Sequence, residues 1–356
     1  MKTDPPPEPR ATLVAHYPRE RGALVLRTSA TALAWKTDEA PVSVEGDVST
    51  FHVAVPHGEC VEAKLVRGDG AWMVGVNLVL GAGETRSLHP AFDSPDGQLR
   101  EERTLEVPGA EALRYRVMLP PSYGEQPSLR YPVIYAQDGQ ALWSDGADPH
   151  GLWNLDRVLD ALWDVRALEE LIVVSVDTSE RRLERLGPVP DDEHGGGQAA
   201  AHLAALVDVL KPAIDRELRT RPERESTALL GSSMGGLFSF YAAWTRPDVF
   251  GAAMCLSPSF WWADRWALRQ VSRGVCPAPL PRLYLDSGAA ASEHEVEGGT
   301  RDGMHHTRAM YRALVARCYE PGHDLDVLAF TGASHDASSW AARIAVPLQI
   351  VFPRPL

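Results

Sequence analysis

From Arg103 to the end of the chain, short apolar runs alternate with longer stretches of helical periodicity, and this alternation limits the fold more than any other feature. Strand-like runs fall at 114–119, 131–136, 171–176, 227–230, 252–256, 282–285 and 326–329. Helical runs fall between and after them, at 154–163, 199–218, 235–244, 304–318 and 339–350. The stretch Ile172-Val173-Val174-Ser175-Val176 is almost continuously apolar, which suits a central parallel strand covered on both faces. Strands that alternate with helices are joined by crossovers, so the expectation is a mostly parallel, doubly wound α/β sheet over residues 103–356.

The first hundred residues read differently. Short runs such as Phe51-His52-Val53-Ala54-Val55 alternate with period two, and Gly46-Asp47, Gly68-Asp69-Gly70 and Gly81-Ala82-Gly83 supply turns between them. No helix-length periodicity occurs here, so a small all-β, sandwich-like domain is expected over residues 11–92. A Pro-rich lead-in at 1–10 and a Pro/Gly/Asp-rich linker at 93–102 flank it. The formal net charge is -13 with no Lys/Arg-rich tract, which argues against nucleic acid as a partner. No run of apolar residues reaches the length of a membrane span, and the N-terminus lacks the apolar core of a signal peptide. Cys60, Cys255, Cys276 and Cys318 show no paired spacing. Reduced thiols, no metal site and a cytoplasmic location are therefore expected.

One motif carries chemistry. Gly231-Ser232-Ser233-Met234-Gly235 fits G-x-S-x-G, with the apolar strand 227–230 before it and a helix opening after it. Such a corner holds a serine hydroxyl clear of the sheet, and Ser233 is the expected nucleophile. The N–H of Met234, at the helix start, is placed to stabilise an oxyanion. A second donor is expected from the loop Gln137-Asp138-Gly139-Gln140 after strand 131–136, through the N–H of Gln140 or Gly139. The base should lie after the serine, on a loop at the carboxyl end of the last strand, which selects His335. The third member should follow strand 282–285. Glu293 is the first choice there, with Glu295, Asp286 and Asp302 as alternatives. Arg182, in a small arginine cluster with Arg181 and Arg185, and the aromatic rings of Trp262 and Trp340 are candidate substrate contacts.

Five segments together resemble the putative-esterase family of α/β-hydrolases. They are Tyr115–Tyr123, Tyr131–Gln140, Gly231–Leu237, Ser257-Pro258-Ser259-Phe260-Trp261-Trp262, and Ser334-His335-Asp336 with Trp340. Within that family the enterochelin esterases look most alike, because they too carry a β-rich domain ahead of the hydrolase. The resemblance implies an α/β-hydrolase fold, no cofactor, and a small-molecule ester as partner, with hydrolysis of a catecholate siderophore as the implied activity. Acyl transfer to an alcohol, or a feruloyl or acetylxylan esterase activity, fits the same residues. A glycan-binding protein with a degenerate hydrolase domain is the non-enzymatic alternative.

Overall fold

The computed structural model describes residues 9–30, 34–178, 181–288 and 302–354. Seven strands precede the α/β part: β1 (Arg10–His16), β2 (Leu24–Thr28), β3 (Ser43–Glu45), β4 (Val48–Ala54), β5 (Cys60–Arg67), β6 (Leu78–Gly81) and β7 (Thr85–Leu88). They form a four-stranded sheet, β3-β4-β1-β7, and a three-stranded sheet, β2-β5-β6. In β5 the alternation Val61, Ala63, Leu65 buries one face, and those residues meet Leu13, Leu26, Phe51 and Leu80 in a single core. Period-two patterning thus makes a two-layer sandwich.

The main sheet follows: β8 (Gln98–Leu99), β9 (Arg103–Leu105), β10 (Leu113–Leu119), β11 (Val133–Ala136), β12 (Ile172–Val176), a two-residue pair β13 (Pro190–Asp191) and β14 (Gly195–Gly196) outside it, then β15 (Thr227–Ser232), β16 (Ala252–Leu256), β17 (Arg282–Gly288) and β18 (Leu325–Phe330). Its order is β18-β17-β16-β15-β11-β12-β10-β8, with β9 also on β10. From β12 across to β18 every pairing in this sheet is parallel, and β10 alone runs against them, antiparallel to β12 and to its short partners β8 and β9. Both faces are covered. On β12, Ile172, Val174 and Val176 enter one apolar cluster while Val173 enters the other. The continuous apolar run in the sequence is the consequence. The expected α/β-hydrolase architecture with a β-rich N-terminal part is the one observed.

Nine helices are named here: α1 (Leu155–Asp164), α2 (Arg182–Leu186), α3 (Ala199–Ala204), α4 (Lys211–Glu217), α5 (Met234–Thr245), α6 (Trp262–Arg273), α7 (Met304–Arg317), α8 (Ala337–Ala341) and α9 (Ala345–Val351). The sequence predicts one helix over 339–350, yet the structure breaks it between α8 and α9. Pro347 has no N–H to give a carbonyl one turn back, so it is accommodated only in the first turn of a restarted helix. The break turns Arg343 inward, where it is 3% exposed. No helix among the described residues is long and apolar enough to cross a membrane.

Two sequence expectations need comment. Cys276 and Cys318 are joined in a disulfide, which corrects the expectation of four reduced thiols. They lie 42 residues apart, and the packing of α6 on α7 brings the two helix ends together, which no sequence spacing could reveal. The expected disordered lead-in falls largely on residues 1–8, outside the described residues.

The sandwich joins the α/β part through one buried carboxylate. Glu125, 2% exposed, accepts the Tyr17 hydroxyl at 2.8 Å and the N–H groups of Phe92 and Asp93 at 2.8 and 2.7 Å. Beside it, the Gln126 amide donates to the carbonyls of His16 and Pro90. These contacts sit ahead of β11, at the amino ends of the parallel strands. Replacing Glu125 by alanine orphans three donors, so a loss of about 2–4 kcal/mol is expected in denaturant unfolding. Because these contacts lie at the opposite end of the sheet from the corner at Ser233, the geometry of that corner should not change in the folded variant.

Candidate active site

β15 and β11 are neighbours in the sheet, and the chain leaves β11 for β12 on one side before returning to β15 on the other. Their carboxyl ends therefore flank the point where strand order reverses, where open α/β sheets bind ligands. Ser233 stands at the first of these ends, between β15 and α5, with φ 54° and ψ -119°. That backbone region is costly for a residue with a Cβ, and it persists because both flanks are fixed. The Ser233 N–H donates to Leu256 at 2.9 Å, and its carbonyl accepts from Ser259 at 3.0 Å. The glycines permit the corner. A Cβ on Gly231 would collide with the backbone of Gly235, and one on Gly235 would lie 2.9 Å from the Asp138 carboxylate.

The Ser233 Oγ lies 2.8 Å from His335 Nε2 and 3.2 Å from Ser259 Oγ. His335 follows β18, on the loop before α8. The Trp340 ring stands edge-on to the imidazole at 5.1 Å between centroids. Asp336, next to the histidine, caps α8 by accepting the Ser339 N–H at 2.8 Å, which anchors the loop. On the far side of the ring, His335 Nδ1 is 2.6 Å from Asp302 Oδ1.

Glu293 and Glu295 lie outside the described residues. The carboxylate that meets His335 is that of Asp302, the most distant of the candidates from β17. The sequence points immediately behind the strand, whereas Asp302, 14 residues after Gly288, accepts the N–H of that glycine. Asp286 is fully buried on β17 and faces away from the imidazole, toward Arg343 and Tyr284. Nothing in composition separates a carboxylate that returns this way from one left in solvent.

The loop after β11 has a clear construction. Asp138 adopts φ 61° and precedes the tight turn Gly139–Ala141, so the N–H groups at its start, Gly139 and Gln140, head a helical turn. Met234 heads α5 in the same way. At Gly139 a Cβ would lie 3.0–3.2 Å from the backbone of 175–177, so only glycine sits comfortably there. Arg182 grips Asp138 with two bonds of 2.7 Å, and Thr178 adds a third through its hydroxyl. Burial alone pushes the Asp138 carboxyl up, but the charge and hydrogen bonds of Arg182 and the bond from Thr178 outweigh it and hold the group below its ordinary range.

The Nε and one terminal nitrogen of Arg182 are thus committed to the loop. For Arg182→Met we expect a fall in kcat of at least about tenfold with little change in KM, because the loop and not the substrate loses its support. Stability should drop by about 3–5 kcal/mol, since Asp138 is left buried without its cation. Steady-state kinetics and urea unfolding of the variant check both.

The tryptophans also divide. Trp262 is buried at 1% exposure, and its indole N–H donates to the Val189 carbonyl at 2.8 Å. Gly196 lets that ring pass, since a Cβ there would lie 2.6 Å from it. Trp262 therefore packs the core beneath β13 and β14, and Trp261, 40% exposed beside His194, is the ring of the pair that faces outward. Trp340 is half-buried against His335, and its N–H donates to Ser257 Oγ at 3.0 Å.

Comparison with known proteins places this geometry in a lineage. Residues 110–348 match the family described as "Putative esterase". The chain is 28% identical over 207 residues to an uncharacterized Bacillus subtilis protein, YbbA, covering 56% of this chain and 77% of that one. It is 33% identical over 173 residues to the siderophore enterobactin esterase of Emericella nidulans, covering 44% of this chain and 57% of that protein. The chain thus spans little more than half the length of that siderophore relative. In fold it is similar to the enterobactin esterase FES of Shigella flexneri, with TM-score 0.55 at 16% identity over 96% of this chain and 92% of the other. That likeness covers the β-rich part as well as the α/β part. With two thirds of its length matched, the chain belongs to the putative-esterase family of ester hydrolases.

Proposed function

We propose that the chain is a serine ester hydrolase in which Ser233, His335 and Asp302 act as a triad. The observation that carries this is the unbroken chain of contacts from Ser233 Oγ through both ring nitrogens of His335 to Asp302. His335 Nε2 takes the Ser233 proton as Oγ adds to the ester carbonyl. The N–H groups of Met234 and Gln140 receive the developing oxyanion. Collapse breaks the bond to the leaving alcohol, which takes the proton from His335, and an acyl-enzyme remains. Water, deprotonated by the same imidazole, then releases the acid. Asp302 keeps the imidazole in the tautomer with its proton on Nδ1 and stabilises the imidazolium that forms.

For the substrate we propose an ester of the catecholate siderophore type. Support comes from the enterobactin esterases among the relatives and from the shared two-part architecture. The test is hydrolysis of a catecholate trilactone alongside simple p-nitrophenyl esters, with Ser233→Ala as control. Release of the linear acid from the trilactone, at a kcat/KM well above that for p-nitrophenyl acetate, is the expected result. Turnover of the simple esters alone would overturn the siderophore assignment and leave the serine mechanism standing.

A further inference from the structure

Behind the imidazole lies a buried charge cluster that the reaction as written does not use. Asp302 shows Oδ1 to His335, while its Oδ2 accepts the Ser257 hydroxyl at 2.6 Å and the Gly288 N–H. The Arg343 guanidinium stands between Asp302 and Asp286. One of its terminal nitrogens is 3.4 Å from Asp302 Oδ2, 3.1 Å from Asp286 Oδ1 and 2.6 Å from Ser257 Oγ. Its Nε reaches Asp286 Oδ2 at 3.3 Å, and the Tyr284 hydroxyl donates to the same oxygen at 2.9 Å. All three charged side chains are closed to solvent, with Arg343 at 2% and both carboxylates at 0%.

Ser257 ties the cluster to the imidazole from a second direction. Its Oγ receives the Trp340 N–H, and Trp340 is the ring that stands against His335. Ser257 has φ 43°, a left-handed conformation that the bonds to Arg343, Asp302 and the Asp286 carboxylate hold in place. Other titratable groups face the cluster from the packed strands. They are Tyr284 on β17, Cys255 on β16, and Asp326 on β18, which is paired with Arg282.

The charges do not cancel. Burial pushes the Asp286 carboxyl up, and the Arg343 guanidinium and the Tyr284 hydroxyl oppose that rise. With both carboxylates ionised, two against one guanidinium leave one negative charge, and His335 is the only other described group in direct contact with Asp302 that can become positive. Resting, with a neutral imidazole, the cluster is one charge short of balance; once His335 has taken the Ser233 proton it is balanced. In a buried site of low dielectric, that difference favours the state in which catalysis proceeds.

We propose that Arg343 is a positioning residue, and that Asp286 and Arg343 together set the charge that Asp302 presents to His335. The proposal rests on the triad assigned above. Arg343 fixes which Asp302 oxygen faces the imidazole. Asp286 holds Arg343 at that point and leaves the net charge at one negative rather than zero.

The test is the pH dependence of kcat/KM for a p-nitrophenyl ester, measured on wild type, Arg343→Met, Asp286→Asn, the double variant and Arg343→Lys. Wild type against Ser233→Ala first establishes the serine reading, so its failure shows before any other variant is compared. Arg343→Met should lower kcat by about 10²-fold, since Asp302 loses its orientation. Its acid limb should move to higher pH, because the imidazolium then faces uncompensated carboxylates. Asp286→Asn should move the same limb to lower pH, because the remaining pair is neutral. The double variant restores a single negative charge and should bring the limb back toward wild type, while kcat stays low because the fork that orients Asp302 is still missing. Arg343→Lys keeps the charge but not the fork, so its limb should stay while kcat falls. A merely structural role gives equal losses with no opposed shifts, and that outcome overturns the proposal. Should Arg343→Met fail to fold, Asp286→Asn and Arg343→Lys decide it by themselves: an unmoved acid limb in the former refutes the charge argument.

Discussion

Replacing Ser233 by alanine is expected to lower kcat for ester hydrolysis by about 10⁶-fold, with KM changed little. In the proposed mechanism acylation begins at Ser233 Oγ, and no other hydroxyl among the described residues is bonded to His335 Nε2. The oxyanion donors survive the substitution, so the residual rate should exceed the uncatalysed one rather than equal it. Stability should barely move, because alanine at φ 54° carries the same backbone strain as serine. Ser233→Gly separates the two effects. It should be equally inactive, yet more stable by roughly 1–2 kcal/mol, since glycine adopts that conformation without a Cβ. Burst kinetics, stoichiometric labelling by an organophosphonate and thermal unfolding of the three proteins check this. Labelling of Ser233→Ala, or unchanged turnover, would show that another nucleophile operates.

The second large effect is expected at Asp302. Asp302→Asn keeps the volume but offers an amide where His335 Nδ1 needs an acceptor, so the ring is drawn toward the wrong tautomer and its cation loses a partner. A fall in kcat of about 10³–10⁴-fold follows. The loss should be smaller at high pH, where free hydroxide replaces the general base in deacylation. Because Asp302 Oδ2 also receives Ser257 and Gly288, some destabilisation accompanies the kinetic loss. Asn at 302 can still accept those bonds with its carbonyl, which limits the cost to about 1–3 kcal/mol. Measuring kcat across pH, with urea unfolding as the stability control, separates the parts. If Asp302→Asn were to retain wild-type kcat, the acid would have to come from elsewhere in the chain.

Contrast these with Glu125 and Arg182. All four are buried or half-buried polar residues with well-made hydrogen bonds, but they hold different things. Glu125 ties the sandwich to the α/β part at the amino ends of the parallel strands, so its loss should appear in unfolding and not in turnover. Arg182 secures the loop that presents an oxyanion donor, so its loss appears in both. The end of the sheet a residue occupies, more than how buried it is, decides which measurement reports it.

The sequence by itself determined the fold class and the location of the elbow. Local rules suffice for both: period-two runs make the sandwich, uninterrupted apolar strands demand helices on both faces, and a strand, a glycine-flanked serine and a helix in that order can make only a sharp corner. The ordering of a base behind the last strand follows from topology, which the alternation of elements already encodes. Only the tertiary structure decided which carboxylate meets His335, which tryptophan packs the core and which faces outward, that Arg182 clamps Asp138, and that Cys276 pairs with Cys318. Each of these depends on where a loop or a broken helix returns in space. Asp302 comes back to Gly288 after a long excursion, Arg343 is turned inward by the restart at Pro347, and Trp262 is buried because two glycines make room for its ring. Contacts between residues far apart in sequence leave no periodicity behind, so a chain read residue by residue offers candidates for the nucleophile and the base but not the charges that surround them.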